Sequence, residues 1–383
     1  MTAPIQLSII FGTRPELIKL APVILLGQKD PRFQIEVIFT GQHIELVRDA
    51  IDFFQIKIDH HLQIMHPGQS LNQLLIHALT QLENTFNNGQ PRDAIMVQGD
   101  TTTVLAGALV AFNMKLPVAH VEAGLRSYDL MHPYPEEGNR QLVSRLAHWH
   151  FAPTTLSAQN LLNEHIAEKN IYITGNTVVD AVYHAKELMQ RSALQPQERL
   201  GKLGIELEND EKLILITAHR RENFGEGILN ICTAVKQLCQ RYPKLHFAWP
   251  VHLNPAVHNV VTHAFRDMPQ VHLLQPLDYP NLLAILQHAD LIMTDSGGIQ
   301  EESPSYQKPV LILRTTTERP EVLDVGAGVL VGTDTDLIVS EASKLLEDAA
   351  YYAKRAFVKN PFGDGTAAQQ ILDHLAADLG SKH

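Results

Sequence analysis

The sequence predicts an α/β protein made of two doubly wound domains, each a parallel sheet with helices on both faces. Three observations predict it. Short apolar strands alternate with amphipathic helical stretches along the whole chain. The layout also restarts midway. Strand 6–11 ends in Gly12-Thr13-Arg14-Pro15-Glu16, and strand 212–217 ends in Ala218-His219-Arg220-Arg221-Glu222-Asn223 at the same place in its own half. Finally, 383 residues are enough for two cores.

Taken in order, the first strand feeds a helix begun by Leu17, Ile18, Leu20 and Ala21, with Pro15 in the first turn, where its missing N–H costs nothing. Strands follow at 34–40, 94–98, 116–121 and 150–152, with helices at 44–54, 71–86, 102–113 and 136–147. Helix 155–165 and strand 171–174 close this half. After Gly175-Asn176-Thr177 comes a long helix, and the polar stretch 190–210 reads as the inter-domain linker. The second half carries strands at 212–217, 246–250, 272–274, 291–294, 310–313 and 329–331. Residues 366–379 read as a closing helix. The expected domains are 1–175 and 176–365, with 366–383 packing back on the first.

In such sheets ligands bind beyond the carboxyl ends of the strands, so two domains facing one another would line a cleft with both sets of loops. The second half places Asp295-Ser296-Gly297-Gly298-Ile-Gln-Glu301-Glu302 there. A strand, a glycine turn and a helix start leave amides pointing outward, which suits a phosphate against Ser296, Gly297 and Gly298. Glu302, a turn further on, could take the hydroxyls of a ribose, and Arg319 follows the next strand. An ordinary βα turn would look the same in isolation.

Other strand ends carry Arg14 and Lys19, Asp100 before three threonines, Glu122 after His120-Val121, Glu136 and Glu137 opening a helix, and His219. Asp100 would serve equally as a helix cap, and Glu136 and Glu137 as acids favoured by the helix dipole. Glu122 is harder to explain by packing, because it leads into the irregular stretch 125–135. It is the joint occurrence that favours function.

Composition narrows the choices. The formal charge of -11, from 31 basic and 42 acidic residues, argues against a nucleic-acid partner. Cys232 and Cys239 are the two cysteines, seven apart on one helical face; they suggest a reducing compartment, the cytoplasm. No secretion signal or membrane span is read in the chain. The 20 histidines are scattered without metal-ligand spacing, so no metal is expected. The dinucleotide fingerprint Gly-x-Gly-x-x-Gly is matched neither by Phe11-Gly-Thr-Arg-Pro-Glu, which lacks the second and third glycines, nor by Asp295-Ser-Gly-Gly-Ile-Gln, and a Walker-type Gly-Lys-Thr is absent. A nucleotide diphosphate without nicotinamide remains.

Phe11-Gly-Thr-Arg-Pro-Glu, Gly99-Asp-Thr-Thr-Thr, His120-Val-Glu-Ala-Gly-Leu-Arg, Pro135-Glu-Glu-x-Asn-Arg140, Thr174-Gly-Asn-Thr-Val, His219-Arg-Arg-Glu, Pro250-Val-His-Leu-Asn-Pro, Thr294-Asp-Ser-Gly-Gly-Ile-Gln-Glu-Glu and Thr317-Glu-Arg-Pro-Glu occur in this order. Together they resemble the non-hydrolysing UDP-N-acetylglucosamine 2-epimerases of bacteria. The resemblance implies a GT-B-like fold of two Rossmann-like domains, no cofactor, and usually a homodimer. It also implies reversible conversion of UDP-N-acetylglucosamine to UDP-N-acetylmannosamine for surface-polysaccharide synthesis. Carried over by position, Arg14, Ser296, Gly297, Gly298, Glu302 and Arg319 look like the UDP contacts, and Lys19, Asp100, Glu122, Glu136 and His219 like the residues around the sugar. A 2-epimerase of a related UDP-sugar and a GT-B glycosyltransferase are the alternatives.

The chemistry fits that inventory. The hydrogen at sugar C2 has no carbonyl beside it, so the C1–UDP bond must break first. Loss of the C2 proton then gives 2-acetamidoglucal, and return of the proton on the other face with readdition of UDP inverts the centre. This needs a cationic cradle and acids or bases on both faces of the ring. Some positions depart from the family pattern. Ile44 follows Gln42-His43 where an arginine is common in members activated by a second UDP-N-acetylglucosamine, so such activation is not expected. Leu277-Asp278-Tyr279, Gly138 and Thr315 also differ.

Overall fold

The computed structural model describes residues 3–42, 44–192 and 194–380, with the side chains of 44–46 left aside. His43 and the side chain of Ile44, which carry the reading about a second sugar nucleotide, lie outside the described residues. The chain forms two compact units, Met1–His184 with Phe362–His383, and Ala185–Pro361.

Unit 1 holds β1 (Ile5–Phe11), β2 (Phe33–Phe39), β3 (His60–His61), β4 (Ala94–Gln98), β5 (Val118–Val121), β6 (Trp149–Ala152) and β7 (Ile171–Ile173), in the order 3-2-1-4-5-6-7. Unit 2 holds β8 (Lys212–Thr217), β9 (Leu245–Pro250), β10 (Val271–Leu274), β11 (Leu291–Thr294), β12 (Val310–Ile312) and β13 (Gly328–Leu330), in the order 10-9-8-11-12-13. Every pairing is parallel. Strands covered on both faces read as apolar runs, which is why β4 (Ala-Ile-Met-Val-Gln) and β11 (Leu-Ile-Met-Thr) are buried throughout. Strand order reverses between β1 and β4 and again between β8 and β11. At such a reversal the flanking connections leave in opposite directions and open a crevice at the carboxyl ends.

Each sheet has its own core. Ile10, Ile38, Leu82, Val97 and Val104 belong to that of unit 1, and Ile216, Ile231, Trp249 and Met293 to that of unit 2. The helix Ala367–Gly380 packs on the helix Arg14–Gly27, burying Ile371, Leu372 and Leu375, and its Asp378 accepts a hydrogen bond from Trp149 Nε1 at 2.7 Å.

The units divide inside the helix Thr177–Arg191, after His184 and not after Gly175, and the chain rejoins unit 1 at Phe362. The physical reason is the buried first half of that helix. Val178, Val179, Ala181 and Val182 are enclosed, and Asp180 Oδ1 accepts a hydrogen bond from the Ala368 amide at 2.9 Å. The stretch 190–210 is not a linker. Its helix Pro196–Lys202 buries Leu200, Ile205 follows it into the interior, and the helix packs on Tyr279–His288 within unit 2.

Candidate functional site

In unit 1 the loops after β1, β2 and β4 converge on Gly12. A β-carbon there would stand 2.4 Å from Thr103 Oγ1 and 2.5 Å from Thr40 Oγ1, so only glycine admits the approach. The helix Arg14–Gly27 then starts with a capping box. Glu16 Oε2 accepts from the Gly12 and Thr13 amides at 2.6 and 3.0 Å, and its other oxygen accepts from the Thr101 hydroxyl, joining the loops after β1 and β4. Burial pushes the Glu16 carboxyl up to about 7, against the pull of those hydrogen bonds. Arg14 is the first residue of this helix and is half-buried.

Lys19 is buried one turn further along and pairs with Glu122 at the end of β5. Asn176 Nδ2 donates to the same oxygen, Oε1, at 2.9 Å, and Gln98 Nε2 to the other. Glu122 sits at φ 65, a left-handed conformation that costs a side-chain-bearing residue about 1–2 kcal/mol. Three donors on one carboxylate hold it there.

Asp100 does not cap the following helix; Thr101 does, its hydroxyl accepting from the Val104 amide at 3.4 Å. Arg140 holds the Asp100 carboxylate instead, with Nε and Nη2 at 2.9 and 2.8 Å from Oδ2, while Asn139 Nδ2 donates to the Asp100 carbonyl at 2.8 Å. Of the two acids opening the helix Glu136–Leu146, Glu137 is structural. It is wholly buried and accepts from the Ser127 and Tyr128 amides at 2.9 and 3.2 Å, pinning the irregular loop. Glu136 takes no part in that network. It is half-buried and lies one turn before Arg140, so on the same helix face. A β-carbon on Gly99, next to Asp100, would lie 3.9 Å from Glu122 Oε2, so the backbone leading into Asp100 runs close to the Glu122 carboxylate. Beneath them His120 Nε2 is 2.8 Å from the Gly99 carbonyl, and burial pushes its imidazole down to about 4.

In unit 2, Thr217 and Thr294 are register partners with hydroxyls 2.5 Å apart, which brings the ends of β8 and β11 level. His219 and Asp295 follow these strands, with His219 Nδ1 3.0 Å from Asp295 Oδ1. Burial would raise the Asp295 carboxyl, but the His219 side chain and the amides of Arg220 and His219 outweigh it and hold it below the usual carboxylate range. Ser296 is the N-cap of the short helix Gly297–Glu302, and its amide donates to Thr294 Oγ1 at 2.9 Å. A β-carbon on Gly297 would come within 2.9 Å of the Arg319 Cζ, so glycine is what lets the guanidinium lie against this turn. A β-carbon on Gly298 would meet nothing nearer than Ser296 Oγ at 4.0 Å. Arg319 is buried, its Nε 2.8 Å from Glu301 Oε1 and Nη1 3.5 Å from Glu318 Oε2. Glu318 also takes Arg314 Nη1 at 2.7 Å; burial opposes ionisation, but the arginines win and set its carboxyl at about 2. Glu302 is buried, and its charge adds to the burial that pushes the Tyr306 phenol up.

Lys19, Asp100, Glu122 and Glu136 thus gather in unit 1 at the carboxyl ends of β1, β4 and β5, with Arg14 on the first of these loops. His219, Ser296, Gly297, Gly298, Glu302 and Arg319 occupy the ends of β8, β11 and β12 in unit 2. The groups that hold them are Gln98, Arg140 and Asn176 in unit 1 and Asp295, Glu301 and Glu318 in unit 2; all but Gln98 fall inside the quoted motifs, but nothing in the sequence marked them as partners. Among the described residues no helix is long and apolar enough to cross a membrane.

Residues 27–376 match the family model described as UDP-N-acetylglucosamine 2-epimerase. The chain is 44% identical over 366 residues to the UDP-N-acetylglucosamine 2-epimerase of Escherichia coli (strain K12), covering 96% of this chain and 97% of that one. The crystal structure of the UDP-GlcNAc 2-epimerase from Neisseria meningitidis, bound to UDP-GlcNAc, superposes with a TM-score of 0.91 at 42% identity, over 97% of this chain and 100% of that one. The Methanocaldococcus jannaschii enzyme, in complex with UDP-GlcNAc and UDP, gives a TM-score of 0.83 at 32% identity, over 97% and 100%. The seven- and six-stranded sheets are those of the GT-B-like fold that these structures share.

Proposed function

This chain belongs to the UDP-N-acetylglucosamine 2-epimerase family, and on that premise we propose that it interconverts UDP-N-acetylglucosamine and UDP-N-acetylmannosamine. The observation that carries the reading is the gathering of Lys19, Asp100, Glu122 and Glu136 at adjoining strand ends of unit 1. Binding a sugar nucleotide needs no such set of proton-handling groups, whereas inverting a carbon centre does.

Unit 2 takes the uridine diphosphate: Ser296, Gly297, Gly298 and Arg319 face the phosphates and Glu302 the ribose, with His219 adding positive charge. The C1–O bond breaks and its electron pair leaves with the diphosphate, whose developing charge these groups stabilise. C1 becomes electron-poor, the C2 proton passes to one of Asp100, Glu122 and Glu136, and the C1=C2 double bond of 2-acetamidoglucal forms. Protonation of C2 from the opposite face and re-attack of the diphosphate oxygen on C1 give the epimer. No step calls for an external oxidant or reductant. The enzyme works as a cytoplasmic homodimer feeding surface-polysaccharide precursors.

The test is an NMR time course of the purified protein with UDP-N-acetylglucosamine alone in deuterium oxide. UDP-N-acetylmannosamine should accumulate and deuterium should enter at C2. A glycosyltransferase would leave C2 untouched, and that outcome removes the reading.

A further inference from the structure

The two oxygens of Asp295 do different work. The side chain is wholly buried, and Oδ2 accepts from the His219 amide at 2.9 Å, the Arg220 amide at 2.8 Å and Asn223 Nδ2 at 3.0 Å. These bonds fasten the loop after β8 to the end of β11. Oδ1 accepts no hydrogen bond among the described residues, yet His219 Nδ1 stands 3.0 Å from it. That is ion-pair distance, within reach of an Nδ1–H donor.

Leaving a buried carboxylate oxygen without a donor forfeits the hydration it gave up on burial. An imidazole with its proton on Nδ1 removes that cost, whereas one with its proton on Nε2 would set two lone pairs against each other. The His219 side chain is 43% exposed, so with Nδ1 turned toward Asp295 the nitrogen offered outward is Nε2. His252 lies behind the other side of the ring, 6.3 Å between centroids, and its own Nδ1 already accepts from the Asn254 amide at 3.1 Å. It therefore does not compete for the His219 Nδ1 proton.

We propose that Asp295 is a positioning residue: it fixes His219 with a proton on Nδ1 and Nε2 free to face the ligand. Resting on the epimerase reading, the consequence is that the protonated ring gives Nε2–H to the departing diphosphate oxygen while Asp295 balances the imidazolium. As UDP returns, the neutral ring can take that proton back.

The experiment measures ring nitrogen shifts of the full-length protein carrying 15N-histidine, with the His219 signals assigned by their loss in His219→Asn. The neutral His219 ring should carry its proton on Nδ1. In Asp295→Asn the amide presents an N–H to Nδ1, so the proton should move to Nε2. Turnover of UDP-N-acetylglucosamine should then fall by about 10²- to 10⁴-fold, the range for a misplaced acid/base, with KM changed far less. Asn223→Ala, which removes an Oδ2 donor and the bond to the Leu313 carbonyl but leaves Oδ1 and His219 in place, should keep the Nδ1–H form, separating positioning from scaffolding. A wild-type ring protonated on Nε2, or an Asp295→Asn enzyme with undiminished turnover, overturns the proposal. Should Asp295→Asn fail to fold, the wild-type tautomer decides alone. Should the wild type show no exchange at C2, the epimerase reading falls while the tautomer still reports on Asp295.

Discussion

At the switch point of unit 1 the outward group is an acid: the Asp100 side chain is 24% exposed, while Arg140 behind it is 7% exposed. At the switch point of unit 2 the outward group is a base: His219 is 43% exposed with Asp295 behind it at 0%. Arg319, itself buried, is a second base paired with a buried acid, Glu301. Both sheets wind the same way about their reversals, 2-1-4-5 in one and 9-8-11-12 in the other. Topology therefore sets where a ligand meets the sheet, and the buried counter-charge sets what it meets. An ion taken out of water costs several kcal/mol unless paired, so each inner group commits the chemistry of the outer one.

The sharpest way to break this comparison is to remove charge from the acid side. Asp100→Asn keeps shape and one acceptor for Arg140, whose Nη1 also keeps Glu137 Oε2 at 3.3 Å, so the protein should still fold, with a lowered thermal transition, while turnover falls about 10²- to 10⁴-fold. Steady-state kinetics beside calorimetry would show it. Undiminished turnover would make Asp100 a mere anchor for Arg140.

Acid should separate the two units next. His120 and His150, register partners on β5 and β6, are pushed down to about 4 and about 3, chiefly by burial. An unfolded imidazole takes its proton near 6.5, so below that pH the unfolded chain binds more protons and these histidines cost unit 1 stability between about pH 6.5 and 3, against the opposite gain from Glu16 and Asp180, raised by burial to about 7 and about 6. In unit 2 the held-down carboxyls of Asp295 and Glu318 keep their contribution until pH falls through their folded values, about 2 for Glu318. His272 and His252 there are also lowered by burial, but they are only half-buried and exposed respectively. In Glu16→Gln, which removes that carboxyl's opposing gain, pulse-labelling hydrogen exchange after incubation at pH 4 should find unit 1 opened first. Earlier loss in unit 2 would refute the assignment.

A third test concerns the border of unit 2, where sequence reading failed. Leu200→Ala should cost about 2–5 kcal/mol in urea unfolding, because Leu200 is buried in a helix packed on Tyr279–His288. A linker residue would cost nothing. The misreading has a physical source: the helix Pro196–Lys202 spans two turns and has a single buried residue, too little for a periodic signal. Strand β3 escaped for a similar reason, being two histidines paired to β2 with no apolar run. Strands β4, β8 and β11, apolar and followed by turn residues, were legible to the residue. The outward members of the site were legible too, since they stand at strand ends. Their partners were not. Arg140 meets Asp100 across 40 residues and Asn176 meets Glu122 across 54, and no local pattern announces such pairings. Asp295 and Glu301 sat inside the glycine-turn stretch, where an acid looks the same whether it faces solvent or is buried under a base.

The smallest expected effect tests a carboxyl that fits neither side of the comparison. Glu16 is buried beside Asp100 with amides and a hydroxyl as donors but no cation among the causes of its shift, and burial raises it from 4.5 to about 7. Because the folded value lies above the unfolded one, the folded state holds the proton more tightly. Its stabilising contribution is complete below about pH 4.5 and is lost as pH rises through 7. Glu16→Gln is neutral at every pH. Its carbonyl can take the Gly12 and Thr13 amides, and its NH2 can donate to the Thr101 hydroxyl. The variant should match the wild type near pH 4.5 and exceed it by about 1–3 kcal/mol at pH 8. Chemical unfolding at the two pH values reads this directly. Equal stability at pH 8 would mean that two amides and the Thr101 hydroxyl are enough to hold Glu16 as an anion, where Asp295 and Glu318 in unit 2 have a histidine or an arginine beside them.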